Sequence, residues 1–367
     1  MPTKTAGVEP AARASAWRPG SAKIDVGILG ATGAVGQQFI ALLGNHPWFR
    51  VTWLAASERS AGKRYSDLTW RLPTELPADT ARLSVEALKA GAGPQLVFSA
   101  LDSVIAGEAE VEFASAGHIV VSNSRNHRMD ALVPLLIPEV NPEHLGLLPL
   151  QRKTKGWSGA IVTNPNCAAM PLAIVLASLR TYVPQRVLIT TLQGLSGAGY
   201  PGVASLDATA NVIPFIDGEE EKIESETRKI LGQLNGNGVA PHPMTLSATT
   251  TRVPVVNGHT EAISVEFEKP VTRDEILAAF KNFSGEPQEL KLPSAPPQPI
   301  IYLEGVNRPQ PRLDAERDGG MVVHVGRLRI CPVLGYKFVI LGHNTIRGAA
   351  GAAILNAELM AAKNLLA

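Results

Sequence analysis

The chain has 367 residues, a length that fits two domains at about 150 residues each. Apolar residues make up 45% and charged residues 18%, enough to bury a sizeable core and too few charges for a disordered polyampholyte. Lys+Arg 34 against Asp+Glu 33 leaves a formal charge of +1, which removes the electrostatic case for a nucleic-acid or anionic-membrane binder but not for a compact small-anion site. The two cysteines, Cys167 and Cys331, exclude a disulfide framework and point to a reducing compartment. No apolar run approaches the roughly 20 residues of a bilayer span. These features predict a soluble, cytoplasmic, enzymatic chain.

Residues 1–22 are rich in Ala, Pro, Gly and Arg with a single acid, Glu9, and lack the apolar core of a secretory signal; they read as a disordered extension. From Lys23 the pattern changes. Ile24, Val26, Ile28 and Leu29 form a strand that runs into Gly30-Ala-Thr-Gly33-Ala-Val-Gly36. A helix through Val35, Phe39, Leu42 and Leu43 follows, then a strand over Val51–Ala56. Further strands are predicted at Leu96–Ala100 and His118–Ser122, with a helix around Ser103–Ala116 between them. This alternation predicts an α/β, Rossmann-type parallel sheet covered on both faces. Pro134–Trp157 reads as a connection. Beyond it come a helix at Ala168–Leu179, strands at Val187–Leu192 and Ile263–Glu268, and a polar-faced helix at Glu219–Leu234. A Pro-rich loop follows at Pro293–Pro299, then late strands at Arg327–Ile330 and Lys337–Leu341 and a closing helix at Gly348–Leu366. The second half reads as an α+β domain with a mixed sheet.

Three segments carry chemistry. Gly30, Gly33 and Gly36 sit between strand and helix, where tight turning and free helix N-terminal N–H groups suit a dinucleotide pyrophosphate. Cys167, in Thr163-Asn-Pro-Asn166-Cys167-Ala-Ala-Met170, falls where a turn meets a helix start, a placement that lowers a thiol pKa. Cys331, in an apolar run, reads as a small buried hydrophobe. Arg252-Val-Pro-Val-Val-Asn257-Gly258-His259-Thr-Glu261 has Asn-Gly between β-branched runs, a hairpin signal. A two-residue loop would pair Val256 with His259 and put Arg252, an anion clamp, on one face with His259, a base. Arg125 and Arg128 follow a parallel strand end, where ligands usually sit, and His127 between them reads as exposed. Glu219, Lys222 and Glu226, at i, i+3 and i+7, share a helix face that spacing alone makes a solvated ion-pair ladder. No metal-ligand spacing is present.

Taken together, Gly30–Gly36, Ser122–Met129, Thr163–Met170 and Arg252–Glu261 resemble the aspartate-β-semialdehyde dehydrogenase family, in particular its archaeal and fungal branch. Gln193 in Thr191–Gly199, Glu219–Lys222, and Asn344 ahead of Gly348-Ala-Ala-Gly351 belong to the same pattern. The resemblance runs from Lys23 nearly to the C-terminus. Asn126-His127 departs from it, since the family more often has an aromatic residue there. It implies that Cys167 is the nucleophile and His259 the acid/base. Arg252 would pair with the substrate α-carboxylate, and Glu219 would hold its amino group. Arg128, Lys222 and Asn166 would bind phosphate, and Gln193 would orient the substrate. It also implies a cofactor set of Gly30, Thr32, Gly33, Ala34, Val35, Ser57, Arg59, Ser60, Ser99, Ser196, Gly197 and Asn344. The implied reaction is NADPH-dependent reduction of L-aspartyl 4-phosphate to L-aspartate 4-semialdehyde with release of phosphate, through a Cys167 thioester, by a homodimer or homotetramer. The implied domains are 23–163 with the returning helix 344–367 for NADP, and 164–343 for catalysis and dimerisation.

Cofactor choice turns on Ala56-Ser57-Glu58-Arg59-Ser60 at the end of the second strand. Ser57 and Arg59 suit a 2′-phosphate, so NADP is expected, while Glu58 turned inward would favour NAD. Malonyl-CoA reductase, similar to the archaeal branch, or another acyl-thioester reductase of the superfamily is the alternative enzyme; N-acetyl-γ-glutamyl-phosphate reductase shares the chemistry but typically has Gly in place of Asn166. A non-catalytic dinucleotide-sensing paralogue is the alternative class, and the joint presence of Cys167 and His259 argues against it.

Overall fold

In the computed structural model, which describes residues 22–366, the chain builds two six-stranded sheets. The extension read over 1–22 lies, apart from Ala22, outside the described residues. The first sheet contains β1 (Ile24–Leu29), β2 (Phe49–Ala56), β3 (Val85–Ala87), β4 (Leu96–Ser99), β5 (Ile119–Ser122) and β6 (Ala160–Thr163). All its pairings are parallel and the order is β3-β2-β1-β4-β5-β6. That order reverses direction between β1 and β4, which opens a crevice at the carboxyl ends of the strands. Helix α1 (Ala34–Leu43) and α2 (Ser103–Ser115) cover opposite faces. Phe39 and Ile40 pack with Val26 and Phe98 on one, Phe113 and Ala114 with Val97 and Val120 on the other.

Pro134–Trp157 is more ordered than a connection. It holds a 3-10 segment at Pro142–Leu147 and helix α3 (Leu148–Lys155), and is followed by the short strand β6. From β6 the chain enters α4 (Ala169–Ser178), an almost wholly buried helix at the centre of the second core. The second sheet has the order β10-β7-β11-β14-β13-β12. Its strands are β7 (Pro184–Gln193), β10 (Thr245–Arg252), β11 (His259–Phe267), β12 (Ile300–Leu303), β13 (Val323–Cys331) and β14 (Gly335–Gly342). A small hairpin, β8 (Gln233–Asn235) with β9 (Gly238–Ala240), follows α5 (Glu219–Ile230), so the predicted helix over 219–234 ends earlier. Val187, Ile189, Ile263 and Val265 face α4, α5 and α6 (Arg273–Asn282), while Leu188, Leu192 and Ile330 are exposed.

The hairpin read at Asn257-Gly258 does not form: β10 and β11 never pair, because β7 lies between them, parallel to β10 and antiparallel to β11. Asn-Gly instead belongs to a longer crossing loop, in which Gly258 takes φ +98°.

The chain's end returns to the first sheet. After β14 a π turn at Ile346–Ala350 leads into α7 (Gly351–Ala362), whose Ile354, Leu355, Leu359 and Met360 join the core of Val26, Ile28 and Phe39. Arg347, 1% exposed, makes a bidentate pair with Glu139 at 2.8 and 2.9 Å and fastens this turn to the segment before α3. Among the described residues no helix is long and apolar enough to cross a membrane.

Candidate active site

Cys167 owes its position to both sheets. Asn164, directly after β6, donates its backbone N–H to Ser122 at the end of β5 and its side-chain Nδ2 to the Ala349 carbonyl in the π turn. Asn166 accepts the N–H groups of Ala168 and Ala169 on its Oδ1, capping the start of α4, and donates Nδ2 to Glu219 at 2.8 Å. The sulfur itself lies 3.2 Å from Nε2 of the wholly buried His259. Gly194 donates its backbone N–H to Nδ1 of that ring, which turns Nε2 toward the sulfur.

The registers explain why Arg252, Gln193 and His259 share one place. Arg252 pairs with Gln193 across β10 and β7, and Gln193 pairs with His259 across β7 and β11. Three residues in one row of a sheet present their side chains to one face. The common face expected for Arg252 and His259 is therefore real, although it comes from an intervening strand and not a hairpin. Gln193 donates to Glu219 at 3.2 Å, Arg252 donates to the Gly194 carbonyl at 2.8 Å, and Lys222 lies 3.3 Å from Glu219. Glu219 and Lys222 of the expected ladder on α5 thus turn into a cleft of about 540 Å³, lined also by Cys167, Arg128, Asn344 and Val35.

Two glycines leave room for the reacting groups. A Cβ on Gly348 would lie 2.7 Å from the Cys167 Cβ, and one on Gly197 would meet Arg252 Nη1 at 2.8 Å and the His259 ring at 3.0 Å.

The electrostatics differ from the simple expectation for a helix start. Burial, followed by the Glu219 charge, pushes the Cys167 thiol up to about 12, against the pull of Arg128 and Arg252. Burial lowers His259 to about 4, Arg252 adds to the effect, and Glu219 opposes it. The pair is therefore a thiol beside a neutral imidazole. Burial works to raise Glu219, but Asn166, Lys222 and Gln193 together hold it below the ordinary carboxylate range, so it keeps its charge.

Other expected residues fall in different places. Gly30 has φ +76°, and a Cβ there would lie 2.5 Å from the Ala100 carbonyl; a Cβ on Gly36 would lie 2.3 Å from the Gly30 carbonyl. Gly33 is the N-cap of α1 and no side chain caps that helix, so its first N–H groups stay open beside Thr32, Ala34 and Val35. Ser57 and Arg59 are exposed, and Ser60 half-buried, on the loop after β2. Ser196 and Gly197 line the cleft, and Asn344 donates to Ser196 at 2.7 Å while accepting the Gly258 N–H. Ser99 is fully buried and gives its hydroxyl to Glu110 at 2.6 Å, so that side chain is unavailable to a ligand. His127, read as exposed, is half-buried against the Gly107 carbonyl. Cys331 is buried on β13, as its apolar run suggested.

The sequence does not reveal the parts that Glu226, Lys229, Gly194 and Gly348 play in the site. Glu226 accepts Arg128 Nη1 at 3.0 Å and the Asn166 backbone N–H at 2.6 Å. Its one signal was the seven-residue spacing from Glu219, which does not reveal a partner 98 positions away. No group of three or more His, Cys, Asp or Glu among the described residues could hold a metal ion.

A nucleotide-type sheet joined to a half-buried thiol, an imidazole and anion clamps defines a thiol-dependent dehydrogenase. Two family models cover most of the chain. "Semialdehyde dehydrogenase, NAD binding domain" matches residues 25–148, and "Semialdehyde dehydrogenase, dimerisation domain" matches 176–347. The chain is 49% identical to the aspartate-semialdehyde dehydrogenase of Archaeoglobus fulgidus, over 94% of this chain and all of that one. It is 45% identical to that of Cryptococcus neoformans, over 94% of this chain and 98% of the other. A crystal structure of aspartate semialdehyde dehydrogenase with NADP from Candida albicans superposes with a TM-score of 0.86 at 40% identity, covering 94% and 100% of the two chains. The chain belongs to the aspartate-semialdehyde dehydrogenase family.

Gly348→Ala is expected to displace the Cys167 backbone, since both Cys167 Cβ and Cα are within 3.0 Å of the new methyl. Misplacing a nucleophile by about 1 Å costs roughly 10²-fold, so kcat/KM should fall about 10²-fold with the protein still folded by melting temperature. A variant with wild-type kcat/KM would show that the π turn does not set the position of the sulfur.

Proposed function

We propose that the protein reduces L-aspartyl 4-phosphate to L-aspartate 4-semialdehyde, with release of phosphate and with NADPH as reductant. The observation that carries this reading is the 3.2 Å contact of Cys167 Sγ with His259 Nε2, set between a phosphate-type glycine turn and a cluster of anion clamps. Arg252 would hold the substrate α-carboxylate as a bidentate fork, and Glu219, kept anionic, its ammonium. Lys222 and Arg128 would face the phosphoryl group, with Asn166 holding the turn between them. Cys167 attacks the acyl carbon, the C–O bond to phosphate breaks, and the departing phosphate carries away the thiol proton, leaving a Cys167 thioester. Reduction gives a tetrahedral thiohemiacetal. A proton from water completes that species, and His259, with Nε2 toward the sulfur, relays its hydroxyl proton to the sulfur as the C–S bond breaks, releasing the aldehyde and restoring the Cys167 thiol.

The residues at the β1–α1 turn fit a dinucleotide, because Gly30 and Gly36 have no room for a Cβ and the first N–H groups of α1 have no side-chain cap. Thr32, Gly33, Ala34 and Val35 would cradle the pyrophosphate, and Ser196, Gly197 and Asn344 would meet the nicotinamide end. Bound there, the cofactor supplies the hydride. Ser57, Arg59 and Ser60 would take a 2′-phosphate, which supports NADP as the cofactor. The exposed Leu188 and Leu192 on the open face of the second sheet support a homodimer built through that face. Free thiols at both cysteines support a cytoplasmic setting. Residues 23–163 with 344–367, and 164–343, are the proposed cofactor and catalytic units.

The direct test is phosphate-dependent NADP+ reduction with L-aspartate 4-semialdehyde. Cys167→Ala should abolish it and Cys331→Ala leave most of it. His259→Ala should lower kcat by about 10²–10⁴, the usual range for a positioned acid/base. An active Cys167→Ala protein, or a His259→Ala protein keeping over half its kcat, contradicts the assignment.

Cofactor preference is tested by kcat/KM with NADP+ and NAD+. A ratio favouring NADP+, and its collapse in Arg59→Ala, is the expected outcome. A ratio favouring NAD+ would show that Glu58 lines the ribose site in place of Arg59.

A further inference from the structure

The inner face of α5 carries four charged residues at positions 219, 222, 226 and 229, spaced as one helical stripe. The first two open into the cleft. The other two are almost fully buried, Glu226 at 1% and Lys229 at 5% exposure, and both grip the loop after β5 that carries Arg128. Lys229 Nζ donates to the carbonyls of Arg128, Asp130 and Val133 at 2.7–2.9 Å. Glu226 splits its carboxylate: Oε1 takes Arg128 Nη1 at 3.0 Å, and Oε2 takes the Asn166 backbone N–H at 2.6 Å. One side chain of the second sheet's domain thus ties the guanidinium of the first to the residue before the nucleophile.

A buried ion pair is weak evidence for stability, because desolvating both charges offsets most of their attraction; its better attested use is to specify one geometry. The geometry specified here is that of Arg128. Nη1 is held by Glu226 and Nη2 by the Asn123 carbonyl at 2.8 Å, which fixes the guanidinium plane at two points. Nε has no protein partner, although it is buried and Arg128 lines the cleft. A guanidinium pinned at two points and lining the cleft is arranged to receive an anion there on its remaining N–H groups.

We infer that Glu226 is a positioning residue for the phosphoryl group: it orients Arg128 and the Cys167 turn as one unit, so that the anion clamp and the sulfur keep a fixed separation. This rests on the proposed reductive dephosphorylation and names a residue through which that chemistry is aligned. Glu226 touches no substrate itself. Its effect falls first on the phosphate end, because the carboxylate clamp Arg252 is held by the Gly194 carbonyl, while Glu219, which shares Asn166 with Glu226, is held by Gln193 and Lys222 as well.

The test uses the full-length enzyme in the oxidative direction, with inorganic phosphate varied at saturating L-aspartate 4-semialdehyde and NADP+. Losing a charge-assisted hydrogen bond to the clamp should raise the KM for phosphate in E226Q by about tenfold or more, while the KM for NADP+ stays within about twofold. Glu226→Asp, which keeps the charge, should recover part of the loss. In an Arg128→Leu background E226Q should add no further increase in the KM for phosphate, since Glu226 acts through Arg128. An unchanged KM for phosphate, a parallel rise in every constant together with a lowered melting temperature, or an undiminished effect in the Arg128→Leu background overturns the inference. If E226Q does not fold, Glu226→Asp alone carries the same cycle. A wild-type enzyme with no phosphate dependence would instead overturn the reading of the reaction, and so the two failures are distinguishable.

Discussion

The structure depends on a single contact between two sheets: the sulfur of Cys167 against Nε2 of His259. The sulfur arrives from the end of the parallel sheet, four residues beyond β6, and the imidazole from the first residue of β11 in the mixed sheet. Nothing local holds them together, since they are 92 positions apart in the chain. Their separation is set by the elements that lock the sheets: Asn164 to the π turn, the Glu139–Arg347 pair beneath it, and Glu226 across from α5. These ties are buried and bidentate or multidentate, which suits parts that must fix a geometry.

The protein's near-zero net charge conceals a steep internal arrangement. Arg128, Lys222 and Arg252 converge on one cleft, opposed there by Glu219. Burial dominates the two reactive groups, raising the thiol and lowering the imidazole, which favours the uncharged form of each. A helix start does favour a thiolate, but at Cys167 that influence is outweighed by desolvation and by the nearby carboxylate. In the proposed reaction an incoming acyl phosphate would change this balance: its ammonium would offset Glu219, and its phosphoryl group would accept the proton that the sulfur gives up.

The nucleotide half was legible because its signals are local. A strand, a glycine turn and a helix follow one another within about 30 residues, and the order of periodicities implies the parallel sheet. Strand β6 escaped because four apolar residues after a Pro- and Lys-rich stretch carry little periodicity. The catalytic half was legible in its residues but not in its geometry. Asn257-Gly258 gives a strong local hairpin signal, yet β7, formed more than 60 residues earlier, occupies the place between the strands. The row of Arg252, Gln193 and His259 is a fact of register between distant strands, which spacing along one chain segment cannot reveal. The charges on α5 were misread from spacing for the same reason. A solvated ladder and a buried clamp look alike until the partner loop is known, and resemblance to a family, not periodicity, separated them.

The central claim is that Cys167 becomes acylated, and intact-protein and peptide mass spectrometry tests it most directly. The enzyme is mixed with L-aspartate 4-semialdehyde and NADP+ without phosphate, so that oxidation proceeds but phosphorolysis cannot, and is quenched in acid. One β-aspartyl adduct per chain is expected, confined to the peptide containing Cys167 and discharged when phosphate is added before the quench. Stoichiometric NADPH formation with no adduct on Cys167, or an adduct on Cys331, would contradict it.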